Sequence, residues 1–100
     1  MILKKVLLLG GSGLLGSKLI ESNIFKNVIA PTSKEVNLQN KKSIEYFLSN
    51  QNINIVVNCA ALARMKECEI NPQEAINTNI KGTLNLVQSI NDINNNILII

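Results

Sequence analysis

Apolar residues along this chain come in two kinds of pattern, and the two alternate. Val6-Leu7-Leu8-Leu9 is a continuous apolar run, and Ile53-Asn54-Ile55-Val56-Val57-Asn58-Cys59-Ala60 is a longer, β-branched one. Runs of this sort suit strands of a parallel sheet covered on both faces. Between them the spacing changes to threes and fours. Leu14, Leu15, Leu19 and Ile20 predict a helix over 13–22, with those four turned inward and Lys18 and Glu21 outward. Ile44, Phe47 and Leu48 predict a second helix over 41–50, with Tyr46 a partly buried packing residue. Ile76, Ile80, Leu84, Val87 and Ile90 continue a third, which Asn71-Pro72-Gln73-Glu74 announces with Asn as N-cap, Pro at the first helical position and Glu at the third. Gly82 interrupts that helix at a cost of about 1 kcal/mol, which predicts close packing at that point. Val28-Ile29-Ala30, stopped by Pro31, reads as a second strand and Ile97-Leu98-Ile99-Ile100 as a last one. Glu35-Val36-Asn37-Leu38 alternates and reads as another. Only Pro31 to Lys34 separate it from the second strand, too short a link for a helical crossover, so that strand must be brief and offset. Strands alternating with helices mean an α/β fold, a parallel sheet wound on both faces.

The join between the first strand and the first helix carries the chemistry. Gly10, Gly13 and Gly16 satisfy G-x-x-G-x-x-G, and Gly11, Gly13 and Gly16 satisfy G-x-G-x-x-G. The first glycine turns the chain off the strand. The middle one lets backbone approach a pyrophosphate with no Cβ in the way, and Gly16 lets the helix press on the sheet. The N–H groups of about Ser12 to Leu15 precede any intrahelical acceptor and point outward with the positive end of the helix dipole, a site for phosphate.

Composition narrows the partners. A hydrophobic content of 46% excludes disorder, and three per cent aromatics make the core aliphatic. The net charge of +3 is spread over scattered lysines with Arg64 the one arginine, so nucleic acid is not an expected partner. With no histidine, and with Cys59 and Cys68 at no metal-ligand spacing, a zinc site is not expected. Both cysteines read as reduced thiols. Lys4-Lys5 before an apolar run imitates a signal peptide, but Gly10-Gly11-Ser12-Gly13 breaks the run too early. No stretch is long enough to span a membrane, so no membrane partner is expected and the cytoplasm is the expected location.

With these pieces assembled, the sequence resembles the extended short-chain dehydrogenase/reductase family, in particular its sugar-nucleotide reductases of the dTDP-4-dehydrorhamnose type. The likeness rests on Gly10-x-x-Gly13-x-x-Gly16, Glu35-Val36-Asn37-Leu38, Val57-Asn58-Cys59-Ala60-Ala61 and Glu69-x-Asn71-Pro72-x-x-Ala75-x-x-x-Asn79-x-x-Gly82-Thr83-x-Asn85-Leu86. It implies a Rossmann-type doubly wound sheet, incomplete at about five strands in the order 3-2-1-4-5. It also implies hydride transfer from a nicotinamide to the ketone of a nucleotide sugar, with residues 1–100 forming the NAD(P)-binding portion. Cofactor contacts are implied for Gly10, Gly13, Leu14, Leu15 and Gly16 around the diphosphate. Ser33 and Lys34 would meet the ribose, Asn37 and Leu38 the adenine, and Ala60 and Ala61 would lie beside ribose and diphosphate. Asn79 would brace the active-site strands. Where the family continues Ala-Ala-Tyr-Thr and then an aspartate, this chain has Leu62, Ala63 and Lys66, which leaves the sugar open. The family's catalytic Ser/Thr, Tyr and Lys follow the fifth strand and have no counterpart among the hundred residues. Tyr46 is no substitute, with Asn50 where a lysine would stand.

Three functions stay open on these residues: a reductase, an epimerase or dehydratase of nucleotide sugars, and a non-catalytic regulator that keeps the nucleotide fold. A Tyr-x-x-x-Lys pair elsewhere in the protein separates the enzymes from the regulator. A homodimer is also left open. NADP is favoured over NAD, because Ala30-Pro31-Thr32-Ser33-Lys34 offers hydroxyls and a cation at the end of the second strand, where NAD-preferring folds carry an acid. Glu35 is the competing acid. The hundred residues by themselves are expected neither to oxidise NADPH with a ketone nor to stay monomeric, since Ile97 to Ile100 would form an apolar sheet edge. Light scattering that finds a concentration-independent monomer, or turnover by this chain alone, contradicts that expectation.

Overall fold

The first apolar run becomes the centre of the sheet. The computed structural model describes residues 2–60, 71–93 and 96–100. Its elements are β1 (Ile2–Leu9), α1 (Leu14–Glu21), β2 (Phe25–Ile29), α2 (Lys41–Ser49), β3 (Ile55–Asn58), α3 (Pro72–Ile93) and β4 (Leu98–Ile99). The strands are parallel in the order β2-β1-β3-β4. In β1, Val6 stands opposite Val28 on one side and Ile55 on the other, and Leu7 opposite Ile29 and Val56. Val6, Leu7 and Leu8 are each 0% exposed, because helices lie on both faces.

Strand alternation divides the core in two. Leu7, Leu9 and Val56 face one side, where they meet Ile44 and Leu48 of α2 and Leu86 and Ile90 of α3. Val6, Leu8, Ile55, Val57 and Cys59 face the other, with Leu19 of α1 packed against them. Each fully buried aliphatic side chain contributes about 1.5–3 kcal/mol relative to exposure, so the β1–β3 pair carries much of the stability. The doubly wound parallel sheet expected from the alternation is therefore present. Among the described residues no helix is long and apolar enough to cross a membrane.

Four expectations are corrected. Glu35-Val36-Asn37-Leu38 is not a strand: residues 31–40 form turns, so the sheet has four strands among the described residues. Thr32 starts a turn in which the N–H groups of Glu35 and Val36 both donate to its carbonyl, 3.0 Å each, so these groups are not offered to a neighbouring strand. In α1, Leu14 and Leu15 are exposed, at 81% and 45%, and the buried position is Gly16. In α3 the stripe Ile76, Ile80, Leu84 faces outward, while Ala75, Gly82, Leu86, Ser89 and Ile90 are buried. Tyr46 is 76% exposed instead of partly buried. In α1 and α3 the cause is the same: close packing is made through small residues, Gly16 in one and Ala75, Gly82 and Ser89 in the other, which a hydrophobicity pattern undervalues.

Caps follow the sequence signals in part. Asn40 caps α2, its side-chain oxygen accepting from the Lys42 N–H at 3.1 Å. At the start of α3 the Asn71 amide donates to the Glu74 carboxylate at 2.8 Å, and the Asn71 carbonyl accepts the Ala75 N–H at 3.1 Å. The close packing expected at Gly82 is found: a Cβ there would stand 3.2 Å from Leu38 Cβ and 3.1 Å from Gln39 Nε2.

Gly16 seats α1. A side chain on it would collide with the Gly10 carbonyl oxygen and lie 2.9 Å from Gly11 Cα, both backbone atoms that cannot rotate away. Gly16→Ala is expected to destabilise the fold by about 1–3 kcal/mol, the usual cost of overpacking. Urea denaturation followed by far-ultraviolet circular dichroism checks this, and an unchanged midpoint contradicts it.

Candidate functional site

At the C-terminal ends of β1 and β3 the chain leaves the sheet through tight turns, and a cavity of about 500 Å³ opens there. Three walls form it. The first is the glycine turn. Gly10 has φ +79°, a left-handed conformation suited to glycine, and a Cβ on it would lie 2.6 Å from Ala60 N. Its carbonyl accepts the Gly13 N–H at 3.1 Å, closing the turn. Gly13, the N-cap of α1, has φ −77° and ψ 174°, extended backbone open to any residue, and it makes no side-chain cap. Folding thus gives no conformational reason for glycine at position 13. The amides of Ser12, Leu14 and Leu15 have no acceptor among the described residues, which leaves them for an anion. The expected group of free amides loses one member, since the Gly13 N–H is spent on the turn.

The second wall is the segment that follows β2. Thr32 and Glu35 form a reciprocal box: Glu35 Oε1 accepts from the Thr32 N–H at 3.1 Å and its hydroxyl at 3.2 Å, and the Glu35 N–H approaches Thr32 Oγ1 at 3.3 Å. The one acid near this wall is thereby engaged locally. Ser43 Oγ accepts from the Asn37 N–H at 3.0 Å, and Asn37 Oδ1 accepts from the Gln39 N–H at 3.0 Å. Side chains thus replace the ladder bonds of the expected strand.

The third wall comes from the end of β3 and from α3. Cys59 N–H donates to the Leu9 carbonyl at 2.8 Å, and Asn58 Oδ1 accepts the Ala60 N–H at 3.1 Å, which pins Ala60 beside the glycine turn. Thr78, Asn79, Gly82 and Thr83 of α3 close the far side. Cys59 is 3% exposed, and burial pushes its thiol pKa up, so it stays protonated and unreactive at neutral pH.

Of the residues singled out in the sequence, Gly10, Ser33, Asn37, Leu38, Ala60 and Asn79 line this cavity. Gly13, Leu14, Leu15 and Gly16 flank it in the turn and first helical turn without lining it, and Lys34, next to the lining residue Ser33, does not line it either. Ala61 lies outside the described residues, as do Leu62, Ala63, Lys66 and Cys68. Leu9, Val36, Gln39, Asn58, Thr78, Gly82 and Thr83 also line the cavity, although the sequence pointed to no ligand contact at them. Helical spacing could have found the last two, at i+3 and i+4 from Asn79. Gln39 carried no signal. None of the lining residues is charged, so an anionic ligand there would meet amides and hydroxyls rather than a carboxylate. The described residues contain no cluster of metal-binding side chains.

Residues 4–100 match the family model described as the RmlD substrate binding domain. The chain belongs to that family. Its fold is shared with the dTDP-4-dehydrorhamnose reductase of Clostridium acetobutylicum, at 24% identity and a TM-score of 0.76 over 95% of this chain and 34% of that one. It is shared too with the dTDP-4-dehydrorhamnose reductase of Bacillus anthracis in complex with NADP, at 20% identity and a TM-score of 0.71 over 87% and 32%. A third is the GDP-D-glycero-L-gluco-heptose synthase of Campylobacter jejuni in the presence of NADPH, at 21% identity and a TM-score of 0.79 over 97% and 29%. Among curated proteins none matches. This RmlD-family chain thus has the Rossmann-type α/β fold and spans about a third of the length of these three proteins.

Proposed function

We propose that this chain forms the dinucleotide-binding part of an NADP-dependent oxidoreductase that reduces the ketone of a nucleotide sugar. The observation that carries the reading is the uncharged cavity at the sheet's C-terminal edge, lined by Ser12 and flanked by the start of α1, where the amides of Ser12, Leu14 and Leu15 have no partner among the described residues. NADP or NADPH in related folds from Bacillus anthracis and Campylobacter jejuni supports the choice of cofactor, and the dTDP-4-dehydrorhamnose reductases among those folds, together with the family match, support the nucleotide-sugar substrate.

Residue by residue, the amides of Ser12, Leu14 and Leu15 would take the diphosphate, and Gly10 and Ala60 would let it lie against backbone. Gly13 leaves room there that a side chain would fill. Ser33 and Lys34 would hold the 2′-phosphate. Glu35, the acid that would compete for a free 2′-hydroxyl, is already bonded to Thr32, which supports NADP over NAD. Asn37 and Leu38 would border the adenine, with Asn79 on the opposite wall. When bound, the cofactor supplies the hydride. The chain's own part is to bind and orient it; a group that protonates the substrate oxygen would come from residues outside these hundred. The epimerase, the dehydratase and the regulator require the same nucleotide site, so it is the substrate half of the protein that separates them.

Two outcomes test the reading. Gly13→Val is expected to cost no more than about 1 kcal/mol of stability, the scale of an N-cap change, yet to abolish NADPH binding by titration. Undiminished binding with the fold retained would make Gly13 a purely structural glycine. In the parent protein NADPH is expected to bind tighter than NADH, and Lys34→Ala to weaken NADPH by about tenfold, the scale of a hydrogen bond to a charged group, while leaving NADH alone. A preference for NADH, or an unchanged NADPH affinity in Lys34→Ala, contradicts the cofactor assignment.

A further inference from the structure

The wall formed by residues 36–39 has no strand to hold it, yet it faces α3 across the cavity. Two amide side chains bridge the gap. Gln39 Nε2 donates to the Thr78 carbonyl at 2.9 Å, and Asn85 Nδ2 donates to the Leu38 carbonyl at 2.8 Å, both partly buried. Between them Gly82 brings the helix backbone up to the turn, with space for a Cβ only 3.1 Å from Gln39 Nε2. The two bonds run in opposite directions, one from turn to helix and one from helix to turn. Together they fix both the separation and the register of the two walls.

We propose that Gln39 and Asn85 are positioning residues for the adenosine end of the nucleotide site, setting the distance between the 36–39 turn and α3. The inference rests on the nucleotide-binding reading above. Gln39 lines the cavity, but its side-chain donor is spent on Thr78; Asn85 does not line it at all. Both therefore act through the backbone they hold. Each holds a carbonyl with an amide donor, a task that an apolar side chain of similar size cannot perform. Losing either bond lets the turn carrying Asn37 and Leu38 drift from α3 by a fraction of an ångström or more. The glycine turn is tied instead to Ala60 and Leu9 through β1 and β3, so the diphosphate end is unaffected.

The prediction is therefore a split between two probes. Adenosine 2′,5′-bisphosphate and inorganic pyrophosphate are each titrated, at up to millimolar concentration, into the parent protein and the variants Gln39→Leu and Asn85→Leu. Backbone amide NMR shifts report binding and the retained fold together. Both variants are expected to bind the bisphosphate about tenfold or more weakly, since a small misplacement of a binding wall has effects of this size. Pyrophosphate shifts at Ser12, Leu14 and Leu15 are expected to stay as in the parent. Should Asn85→Leu fail to fold, Gln39→Leu, which alters a residue of the turn and not of the long helix, decides the matter alone. Parent-like bisphosphate affinity in the variants overturns the inference, as does equal weakening of both probes, which would mark a general packing role. A parent protein that takes up neither probe overturns the nucleotide-binding reading itself, and is recognised before any variant is made.

Discussion

Backbone packed on backbone at the end of β1 is the constraint on which the rest depends. Gly10 turns the chain with its Cα side against the peptide joining Cys59 to Ala60, and Gly16 sets the first turn of α1 against the carbonyl of Gly10. No side chain fits at either contact. Because both are made without side chains, the start of α1, the end of β1 and the end of β3 converge within a few ångströms. The same convergence sets the free amides of Ser12, Leu14 and Leu15 at the start of α1, beside the cavity that Ser12 lines. Binding geometry and fold geometry are thus one feature, and a mutation at Gly10 or Gly16 cannot separate them. Gly13 is different. Its extended backbone makes no such demand.

The hydrophobic core serves this arrangement by fixing β1 between two neighbours. Leu7 and Leu9 are covered from one side by α2 and α3, Val6 and Leu8 from the other by α1 and neighbouring strands. A strand buried on both faces and paired on both edges is the least mobile part of a small α/β protein. A turn that leaves it inherits that rigidity, which limits the entropy lost when a ligand settles on its amides.

Legibility of the sequence followed residue size. The β1–turn–α1 unit could be read because glycine spacing and a continuous apolar run are both strong local signals. The end of β3 could be read from its apolar run, and Ala60 lines the cavity beside the glycine turn. The second wall could not. Val36, buried at 4% exposure, and the half-buried Leu38 alternate with polar neighbours as strand residues do. What decides against a strand is the Thr32–Glu35 box and the Ser43 hydroxyl, which take the backbone groups first. Side-chain competition of this kind leaves no period in the sequence. On α3 the larger apolar residues Ile76, Ile80 and Leu84 drew the helix face toward themselves. The real contact runs through Gly82, because only a residue with no side chain lets the 38–39 turn come so close. The cavity residues contributed by α3 were missed with it, all but Asn79.

The central claim is that a dinucleotide diphosphate rests on the amides at the start of α1. Backbone amide chemical shifts recorded while NADPH is added test it most directly. The account predicts large, saturable shifts at Ser12, Leu14 and Leu15, accompanied by shifts along residues 32–39 and at Ala60 and Asn79. Shifts that leave the Gly10–Gly16 turn untouched, or no saturable shift anywhere, would contradict it.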